Sequence, residues 1–493
     1  MRVLIVGAGF GGIAAAIELR GHGFEDVTIL EASGDLGGTW HDNTYPGCAC
    51  DVPSHFYSFS FAQRRDWTRL CSPQPEILAY LRGVARDHGV DRRIAYGRRV
   101  TACSWDDDAR AWTVTTDDGR AEVADAVVLA TGQLHQPAVP RLRGADAFTG
   151  HAFHSARWDH AYDLRGKRVA VIGTGASAVQ FLPEIADAAR SVTVFQRTGN
   201  WFLPRRNRAY PRLVRAAIRW VPGLQPYRRR FMFNYCEALT LAIRRPETVG
   251  RVLGLRSAAF MRWQLRGRPD LRRAAWPDFT FGCKRVLFSS AYLPALRRAG
   301  VELVTEAIDR LDGDTVVTAD GARRAVDCLI YATGFRANDF MFPMEVVGAD
   351  GTDLRETWAD GPHAHLGMTI PGFPSLFVLY GPNTNTSGGS IVFYLELQAA
   401  YVRQALQATR ERAAAAIDVR PEVEAASDRA LQGRFTGTAW TRCDSWYRTP
   451  DGRIVANWPG SMREYAQAVR RLDPAEFTFL VTPVTSSGAT ALG

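Results

Sequence analysis

Short apolar runs that end in glycine-rich turns recur along the chain. Residues 3–12 read VLIVGAGFGG, and residues 169–178 read VAVIGTGASA. Each run precedes a stretch with helical periodicity and then a second apolar segment, at residues 27–31 and 192–197. Further apolar strands end in Ala-Thr-Gly, at residues 126–132 and 329–334. The repeated order of strand, glycine turn, helix and strand predicts an α/β fold with two Rossmann-like dinucleotide-binding domains.

The second domain is predicted to interrupt the first, because apolar strands and glycine turns resume after Gly334. The predicted division is a first domain of residues 1–145 and 336–480, a second of residues 146–205 and 274–335, and a helical insert of residues 206–273. A tail rich in Ser, Gly and Ala, residues 481–493, is expected to be flexible. Between positions 99 and 120 apolar and polar residues alternate with a period of two, which predicts antiparallel strands.

The glycines of the first domain have the spacing Gly7-x-Gly9-x-x-Gly12. They permit a tight turn and close backbone approach, and the helix that follows points its N-terminus at a pyrophosphate. Glu31 lies 19 residues after Gly12, at the end of the second strand, where a carboxylate can accept both ribose hydroxyls. A carboxylate there repels a 2′-phosphate, so the first site is expected to take FAD or NAD.

The second motif, Gly173-x-Gly175-x-x-Ala178, has the same spacing but a different residue at the strand end. Arg197 lies 19 residues after Ala178, and Thr198 follows it. A guanidinium can form paired hydrogen bonds with a phosphate dianion, so this site favours NADPH over NADH. The two sites together predict a protein that carries FAD and uses NADPH.

The net charge of +9 is concentrated in the helical insert. Residues 205–273 contain 18 Arg, no Lys and three acidic residues, with aromatic residues interleaved. No groove-reading motif is present, so nucleic acid is not an expected partner. Two interpretations stay open: a solvated, arginine-covered helical face, and weak contact with an anionic lipid surface.

The eight cysteines include no C-x-x-C pair, which is typical of reduced thiols in a cytoplasm. The chain begins directly with a strand-like run instead of a secretory leader, and no apolar run reaches the length of a membrane span. We therefore expect a cytoplasmic protein. Disulfide reductases share the double fold, but Cys48-Ala49-Cys50 lacks the usual spacing of a redox pair. Oxygen is the expected electron acceptor, and no metal site is predicted.

Residues 148–159 match the pattern F-x-G-x-x-x-H-x-x-x-W-[PD] at every position, from Phe148 to Asp159. This pattern is the fingerprint of type I Baeyer–Villiger monooxygenases, a family of class B flavoprotein monooxygenases, which the chain resembles over about residues 1–480. Other segments similar to this family are residues 37–47 with Asp51, 282–285, 367–385 and 445–460. The chain looks closest to the branch represented by 4-hydroxyacetophenone monooxygenase, without that enzyme's N-terminal extension.

The resemblance implies roles for individual residues. Arg285 would place a fixed positive charge beside the flavin, and Asp51 would orient it, so these two are the predicted catalytic residues. Lys284 would join Arg197 and Thr198 at the 2′-phosphate of NADPH. His154 and Trp158 would couple the two domains and transfer no proton. The predicted FAD contacts are Gly7, Gly9, Gly12, Glu31, Gly38, Thr39, Trp40, Asp51 and Tyr57, and those to NADP are Gly173, Gly175, Ala178, Arg197, Thr198 and Lys284.

The implied reaction uses NADPH and O2 to insert one oxygen atom beside a ketone carbonyl. It gives an ester or lactone through a C4a-peroxyflavin, which must remain anionic and shielded from water. The expected partners are the small-molecule ketone and O2, without an obligate protein partner. Two alternatives stay open: oxygenation of nitrogen or sulfur compounds, and an FAD/NADPH electron-transfer flavoprotein.

Some positions depart from the family or have no firm role. Ala291 and Leu293 stand where relatives often carry polar residues near the substrate side, so the ketone cannot be carried over from any relative. Asn383 and Thr384 lie in a glycine-flanked turn and are candidates for the edge of the flavin ring. Trp446 is an aromatic residue that could pack in the core or near the flavin.

Overall fold

The structure is a computed structural model that describes residues 1–205, 207–386 and 388–481. Residues 482–493 of the predicted flexible tail lie outside the described residues. The first part of the chain forms the strands β1 (Val3–Val6), β2 (Val27–Glu31), β3 (Ile94–Tyr96), β4 (Val100–Asp106), β5 (Ala111–Thr116), β6 (Ala121–Ala124) and β7 (Ala126–Leu129), and the helices α1 (Phe10–Arg20), α2 (Thr39–Asp42) and α3 (Gln74–Asp87).

The middle of the chain forms a second set of strands around a group of helices. The strands are β8 (His151–His154), β9 (Arg168–Ile172), β10 (Ser191–Phe195), β11 (Phe202–Leu203), β12 (Leu287–Phe288), β13 (Val301–Val304), β14 (Ile308–Asp312), β15 (Thr315–Thr318), β16 (Arg323–Ala325) and β17 (Cys328–Tyr331). The helices are α4 (Ala176–Ile185), α5 (Arg212–Trp220), α6 (Leu224–Arg244), α7 (Arg251–Gln264), α8 (Pro269–Ala274) and α9 (Tyr292–Ala295).

The last part of the chain alternates strands and helices. The strands are β18 (Glu345–Val347), β19 (Leu376–Val378), β20 (Ala416–Val419) and β21 (Phe477–Leu480), and the helices are α10 (Leu354–Thr357), α11 (Ile391–Glu411), α12 (Pro421–Gly433) and α13 (Met462–Ala468). None of the helices among the described residues is both long and apolar enough to cross a bilayer.

The first parallel sheet has the strand order β19-β7-β1-β2-β3. β1 lies at its centre, with β2 and β7 parallel on either side. All four residues of β1 are buried, because strands of a parallel sheet are covered on both faces, and this explains the continuous apolar run at residues 3–6. β19 returns to this sheet after the second sheet is complete, as expected for an interrupted first domain.

The second parallel sheet has the order β13-β10-β9-β17-β8 and repeats the plan of the first. β10 and β17 flank β9 as β2 and β7 flank β1. The prediction of an α/β protein with two dinucleotide-binding domains is confirmed. The exact domain boundaries stay a prediction. Helices α5 to α8 fall in the predicted helical insert, and α8 ends at Ala274, one residue after the predicted end of the insert.

Smaller sheets complete the architecture. β4, β5 and β6 form an antiparallel meander, as predicted for positions 99–120, and β18 adds a parallel strand at its edge. β14, β15 and β16 form a second antiparallel meander beside the second parallel sheet. One hydrophobic core contains Val3 and Ile5 of β1 together with Val169 and Val171 of β9, so both parallel sheets belong to one packed body.

Candidate active site

A cavity of about 880 Å³ opens at the carboxyl ends of β1, β2 and β7. Doubly wound sheets bind their ligands at this edge, and the volume lies within the range of cofactor pockets. Eight of the nine residues predicted to contact FAD line the cavity: Gly7, Gly9, Glu31, Gly38, Thr39, Trp40, Asp51 and Tyr57. The ninth, Gly12, lies below the glycine turn.

The glycine turn leaves no room for side chains. Gly7 has a φ of +104°, and a Cβ on Gly12 would lie 1.9 Å from the Gly7 carbonyl oxygen. A Cβ on Gly38 would lie 3.2 Å from the Gly9 Cα, so two backbone segments meet there without side chains between them. Helix α1 begins directly after Gly9, and its N-terminus is therefore open toward the cavity. This cradle fits the pyrophosphate of a dinucleotide.

Glu31 is buried at the end of β2 and is held by backbone N–H groups. Its Oε2 accepts a hydrogen bond from Ala8 N at 2.7 Å, and its Oε1 accepts one from Ser33 N at 2.8 Å. A carboxylate has about four acceptor sites, so both oxygens can still accept ribose hydroxyls from a ligand. The position predicted from the spacing after Gly12 is thus occupied by a fixed carboxylate that faces the cavity.

Trp40 and Tyr57 form one wall of the cavity. The Trp40 indole N–H donates to the Tyr57 hydroxyl at 3.1 Å, and the rings meet edge to face with centroids 5.7 Å apart. Burial raises the pKa of Tyr57 well above its ordinary value. The wall is therefore uncharged and aromatic, which suits contact with a flat ring system.

The second nucleotide motif has the same backbone design. Gly173 has a φ of +103°, and a Cβ there would lie 2.4 Å from the carbonyl oxygen of Ala332, in the second Ala-Thr-Gly segment. Gly175 precedes helix α4 and has no other atom within 4 Å of its Cβ position. Ala178, the third position of the motif, is fully buried, so a methyl group fits between helix and sheet.

The side chains predicted for the 2′-phosphate stand on two segments, one directly after β10 and one before β12. Arg197 follows β10 and is exposed, while Thr198 is half-buried. Arg197 makes no ion pair or hydrogen bond with any part of the chain that the structure describes. The Lys284 ammonium lies 4.7 Å from the centre of the Phe279 ring, a cation–π distance that leaves its N–H groups free for an anion.

Asp51 and Arg285 meet at the cavity wall although 234 residues separate them. The Arg285 Nη2 donates to the Asp51 Oδ2 at 2.5 Å. Burial alone would raise the pKa of Asp51, but the charge and hydrogen bond of Arg285 outweigh it and hold this pKa below its usual value. The Asp51 charge in turn raises the pKa of Arg285. The pair is therefore charged at every physiological pH.

Gln180 on α4 was not predicted from the sequence, yet it lines the cavity and joins the two domains. Its Nε2 donates to Ala49 O at 2.8 Å, and its Oε1 accepts from Ala49 N at 3.2 Å and from the Tyr45 hydroxyl at 3.1 Å. The only sequence signal was its place two residues after Ala178 on the helix that follows the glycine turn. Its partner loop, which ends at Asp51, could not be inferred.

His154 and Trp158 lie outside the lining of the cavity. His154 is buried at the end of β8, its Nδ1 accepts a hydrogen bond from Ala156 N at 3.1 Å, and burial lowers its pKa. Trp158 packs on Phe181 of α4 with centroids 5.2 Å apart, and Phe181 contacts Tyr45 of the other domain. An aromatic chain therefore runs from the fingerprint segment to the loop of the FAD site.

Asn383 and Thr384, the candidates for the flavin edge, do not line the cavity. Asn383 and Thr384 are buried below the cavity, where the Asn383 amide donates to the carbonyl oxygens of Ile454 and Asn457. Asn383 has a φ of +57°, and the turn it forms presents Asn385 and Thr386 to the cavity instead. Trp446 is half-exposed and packs on Tyr447.

Two cysteines form a disulfide, which corrects the expectation of reduced thiols throughout. Cys283 and Cys443 are bonded, with Cα atoms 6.2 Å apart and 160 residues between them. Spacing in the sequence cannot reveal a pair that tertiary folding brings together. Cys283 directly precedes Lys284 and Arg285, so the bond anchors the segment that carries the predicted catalytic arginine.

Cys48 and Cys50 do not form the redox pair of a disulfide reductase. Both are free and buried. Burial raises the pKa of Cys48 to about 12 and that of Cys50 well above its ordinary value. Thiol–disulfide exchange needs the thiolate, which is scarce at such pKa values.

Comparisons with known proteins agree with this geometry. The family of pyridine nucleotide-disulphide oxidoreductases matches residues 4–215. A Baeyer–Villiger monooxygenase of Streptomyces coelicolor is 40% identical over 495 residues, which cover 100% of this chain and 95% of that protein. The structure of an oxidized steroid monooxygenase bound to NADP has a TM-score of 0.87 at 30% identity. That of OTEMO in complex with FAD and NADP has a TM-score of 0.87 at 26% identity, and each covers 97% of this chain and 99% of the other.

The two nucleotide sites are those of a flavoprotein oxidoreductase with one domain for FAD and one for NADPH. The Asp51–Arg285 pair lies at the wall of the cavity of its first site. Within that class, the chain belongs to the Baeyer–Villiger monooxygenase family. The resemblance of residues 148–159 to the Baeyer–Villiger fingerprint predicted this family, and the family is confirmed. The 4-hydroxyacetophenone branch stays a prediction.

Proposed function

We propose that Arg285 and Asp51 are the catalytic pair of an FAD- and NADPH-dependent Baeyer–Villiger monooxygenase, which converts a small-molecule ketone to an ester or lactone with O2. The supporting observation is the 2.5 Å ion pair between them, at the wall of the cavity that the FAD motif lines. Family membership supports the reaction type, and the pair supplies the residues that would carry it.

FAD fits the first site, because the glycine cradle has no room for a Cβ at Gly12 and Glu31 offers a fixed carboxylate for the ribose. When bound, FAD carries electrons from NADPH to O2. Arg285 would stabilise negative charge that develops on oxygen during addition to the ketone carbonyl, since a preorganised cation needs no rearrangement at that moment. Asp51 would fix its orientation and keep it protonated.

NADPH fits the second site. Arg197, Thr198 and Lys284 would hold the 2′-phosphate, and the turn at Gly173 and Gly175 would accept the pyrophosphate. In the first site the carboxylate of Glu31 would repel a 2′-phosphate. The two cofactors are thereby directed to different domains by the sign of the charge at each strand end.

His154 and Trp158 would act as positioning residues. Trp158 reaches the FAD-site loop through Phe181 and Tyr45, and His154 is buried away from the cavity, so neither side chain is placed to move a proton to a reacting atom. Their contribution would be to the alignment of the two domains during the cycle.

The compartment and the branch are also proposals. Six free, buried cysteines favour a reducing cytoplasm. Screening aryl ketones of the 4-hydroxyacetophenone type against cyclic ketones would test the branch, and a preference for cyclic ketones would contradict it.

A rapid-mixing experiment tests the function. The holoenzyme is reduced anaerobically with NADPH, mixed with oxygenated buffer, and followed by flavin absorbance. A long-lived near-ultraviolet transient whose decay accelerates with ketones is expected. Acceleration by sulfides or amines alone would favour oxygenation of heteroatoms. Direct reoxidation without a transient, while NADP⁺ is bound, would favour an electron-transfer flavoprotein.

A further inference from the structure

Exposed apolar side chains are concentrated in the helical insert. Of the sixteen large hydrophobic residues that are exposed in the described part of the chain, nine lie between positions 213 and 263: Leu213, Trp220, Val221, Tyr227, Phe231, Tyr235, Val252, Leu255 and Trp263. A contiguous exposed apolar surface marks an interaction site more often than scattered apolar residues do. Residues 205–273, which include these positions, carry 18 Arg against three acidic residues.

Helix α5 has three distinct faces. Ile218 is buried and anchors the helix. Leu213 and Trp220, seven residues apart and so on one face, are 84% and 73% exposed. Arg212, Arg215 and Arg219 follow one another at helical spacing on a face beside that apolar stripe. Both the apolar stripe and the arginine face of α5 are therefore exposed to solvent, and the helix packs on the rest of the protein through its Ile218 side.

Helix α6 continues the exposed apolar surface. Tyr227, Phe231 and Tyr235 lie at positions i, i+4 and i+8 and therefore form one ladder, with exposures of 66%, 55% and 45%. Arg230 stands beside this ladder and is exposed. Helix α7 follows α6 after the turn at residues 246–250 and carries the exposed side chains of Val252 and Leu255.

Arginines accompany the exposed indoles. The Arg219 guanidinium lies 5.1 Å from the Trp220 ring centre, and that of Arg266 lies 5.3 Å from the Trp263 ring centre. Such pairs keep a cation at the edge of an apolar surface. This is the arrangement that interfacial helices use, with aromatic and aliphatic residues inserted below the headgroups and guanidinium groups at the phosphate level.

We propose that α5, α6 and α7 form a face that docks on an anionic lipid surface. Its excess positive charge complements lipid phosphates, and its ladder of aromatic side chains gains from burial in the headgroup region. A second copy of the chain would bring the same positive charge against itself. Nucleic acid would pair with the arginines but would leave the apolar ladder without a partner, and no groove-reading motif is present.

The docking face lies on the outer side of a helix whose inner side borders the active site. Thr240 and Cys236 on the inner side of α6 contact Gly388, where an added Cβ would lie 3.0 Å from the Thr240 hydroxyl. The next residue, Gly389, lines the cavity. Docking would thus hold the ketone site close to a bilayer. This consequence rests on the proposed function, whereas the docking itself does not.

Vesicle sedimentation of the full-length holoenzyme tests the proposal. Vesicles of phosphatidylcholine alone are compared with vesicles that also contain phosphatidylglycerol, at low and high salt. Binding is expected to require phosphatidylglycerol and to weaken with salt. The variant Tyr227→Ser/Phe231→Ser/Tyr235→Ser should bind at least about tenfold more weakly. The variant Arg219→Gln/Arg230→Gln/Arg256→Gln should lose about fivefold for each arginine.

Matched controls separate a docking face from general charge and folding effects. Val123→Ser/Val139→Ser changes two exposed apolar residues elsewhere, and Arg120→Gln/Arg143→Gln/Arg165→Gln removes the same charge outside the insert. Both controls should bind like the wild type, and all variants should retain their flavin and thermal midpoint. Equal losses in the insert variants and the controls would overturn the proposal.

Three further outcomes would also overturn it. Equal binding to vesicles with and without phosphatidylglycerol would show that the anionic lipid is not what the face recognises. Binding to double-stranded DNA without binding to the vesicles would make nucleic acid the partner. A dimer in analytical ultracentrifugation that the aromatic variant dissociates, again without vesicle binding, would make the face a self-association surface. None of these readouts depends on monooxygenase activity.

Discussion

Gln180 hydrogen-bonds both the N–H and the carbonyl oxygen of Ala49 and so joins the two nucleotide-binding domains at a single residue. The loop that carries Ala49 continues to Asp51, which pairs with Arg285. Gly47 in the same loop lies so close to α4 that a Cβ there would be 2.7 Å from the Gln180 carbonyl oxygen. The orientation of the Asp51–Arg285 pair therefore depends on how the second domain sits against the first.

Gln180→Ala removes the two hydrogen bonds to Ala49 and the one from Tyr45. Each is worth about 0.5–1.5 kcal/mol net, so the domains should lose alignment without unfolding. We expect unchanged FAD content, slower ketone-dependent turnover and a larger share of NADPH oxidation that yields hydrogen peroxide. Measuring hydrogen peroxide formed per NADPH consumed checks this.

Gln404→Ala on α11 is the matched control, because the Gln404 amide also bonds backbone carbonyls but lies away from the cavity. It should leave the peroxide share at the wild-type value. If Gln180→Ala couples NADPH oxidation to ketone oxidation as tightly as the wild type does, Gln180 is a packing residue only.

Arg285→Ala removes the fixed cation beside the cavity. Loss of one preorganised electrostatic group costs about 10²–10³ in rate, so ketone oxidation should fall by that factor. Arg285→Lys keeps the charge but not the planar fork that faces Asp51, and we expect partial recovery at most. Single-turnover kinetics with ketone added to the reduced, oxygenated enzyme measure the step directly. Equal ketone rates in Arg285→Ala and the wild type would remove Arg285 from catalysis.

The Asp51–Arg285 pair also predicts how stability depends on pH. Because the folded state lowers the pKa of Asp51, its contribution is fully present above the unfolded pKa of about 3.9 and is lost as pH falls through the folded value. The difference in thermal midpoint between wild type and Asp51→Asn should therefore be constant from about pH 6 to pH 9 and shrink only in strong acid. A difference that changes near neutrality would contradict a permanently charged pair.

The repeated motifs predict most of the fold, because each strand, glycine turn and helix is encoded locally. Gly7 and Gly173 need a positive φ and close contact with the Ala-Thr-Gly carbonyls, so glycine spacing and strand ends identify the same two sites. Asp51 and Arg285 were paired through motif resemblance, and the structure brings them into contact. Their roles as catalytic and cofactor-binding residues stay predictions.

Contacts between segments that are distant in the chain could not be predicted from the sequence. Gln180 and Ala49 lie in different domains, and Cys283 and Cys443 are 160 residues apart, so no local pattern links them. Asn383 illustrates a smaller failure. Its glycine-flanked turn suggested a place at the flavin edge, but the turn rotates its side chain inward to bond Ile454 and Asn457, and the half-buried Asn385 lines the cavity instead.

Arg197 and Lys284 predict the choice of nicotinamide cofactor. A charge-assisted hydrogen bond contributes about 1.5–3 kcal/mol, so Arg197→Ala or Lys284→Ala should raise the KM for NADPH by about tenfold or more. NADH lacks the 2′-phosphate, and its kcat/KM should change little. Arg190→Ala, an exposed arginine before β10, is the control and should alter neither cofactor. Equal losses with NADPH and NADH would place both residues outside the phosphate site.

The Cys283–Cys443 disulfide predicts a redox effect on the segment that carries Arg285. It ties Cys283, next to Lys284 and Arg285, to the segment around Cys443. A native disulfide typically stabilises by about 2–4 kcal/mol. Treatment with dithiothreitol should therefore lower the thermal midpoint and slow the Arg285-dependent step, while the bound FAD is retained.

The variant Cys283→Ser/Cys443→Ser separates the bond from other thiol chemistry. It should resemble the reduced wild type and show no further response to dithiothreitol, because the remaining six cysteines are buried and free. Mass spectrometry of the unreduced wild type should find the two peptides joined and the chain lighter by two hydrogen atoms. If the double variant still responds to dithiothreitol, another cysteine is the sensitive group. If the peptides are never joined in protein isolated under thiol-blocking conditions, both the disulfide and its redox effect are contradicted.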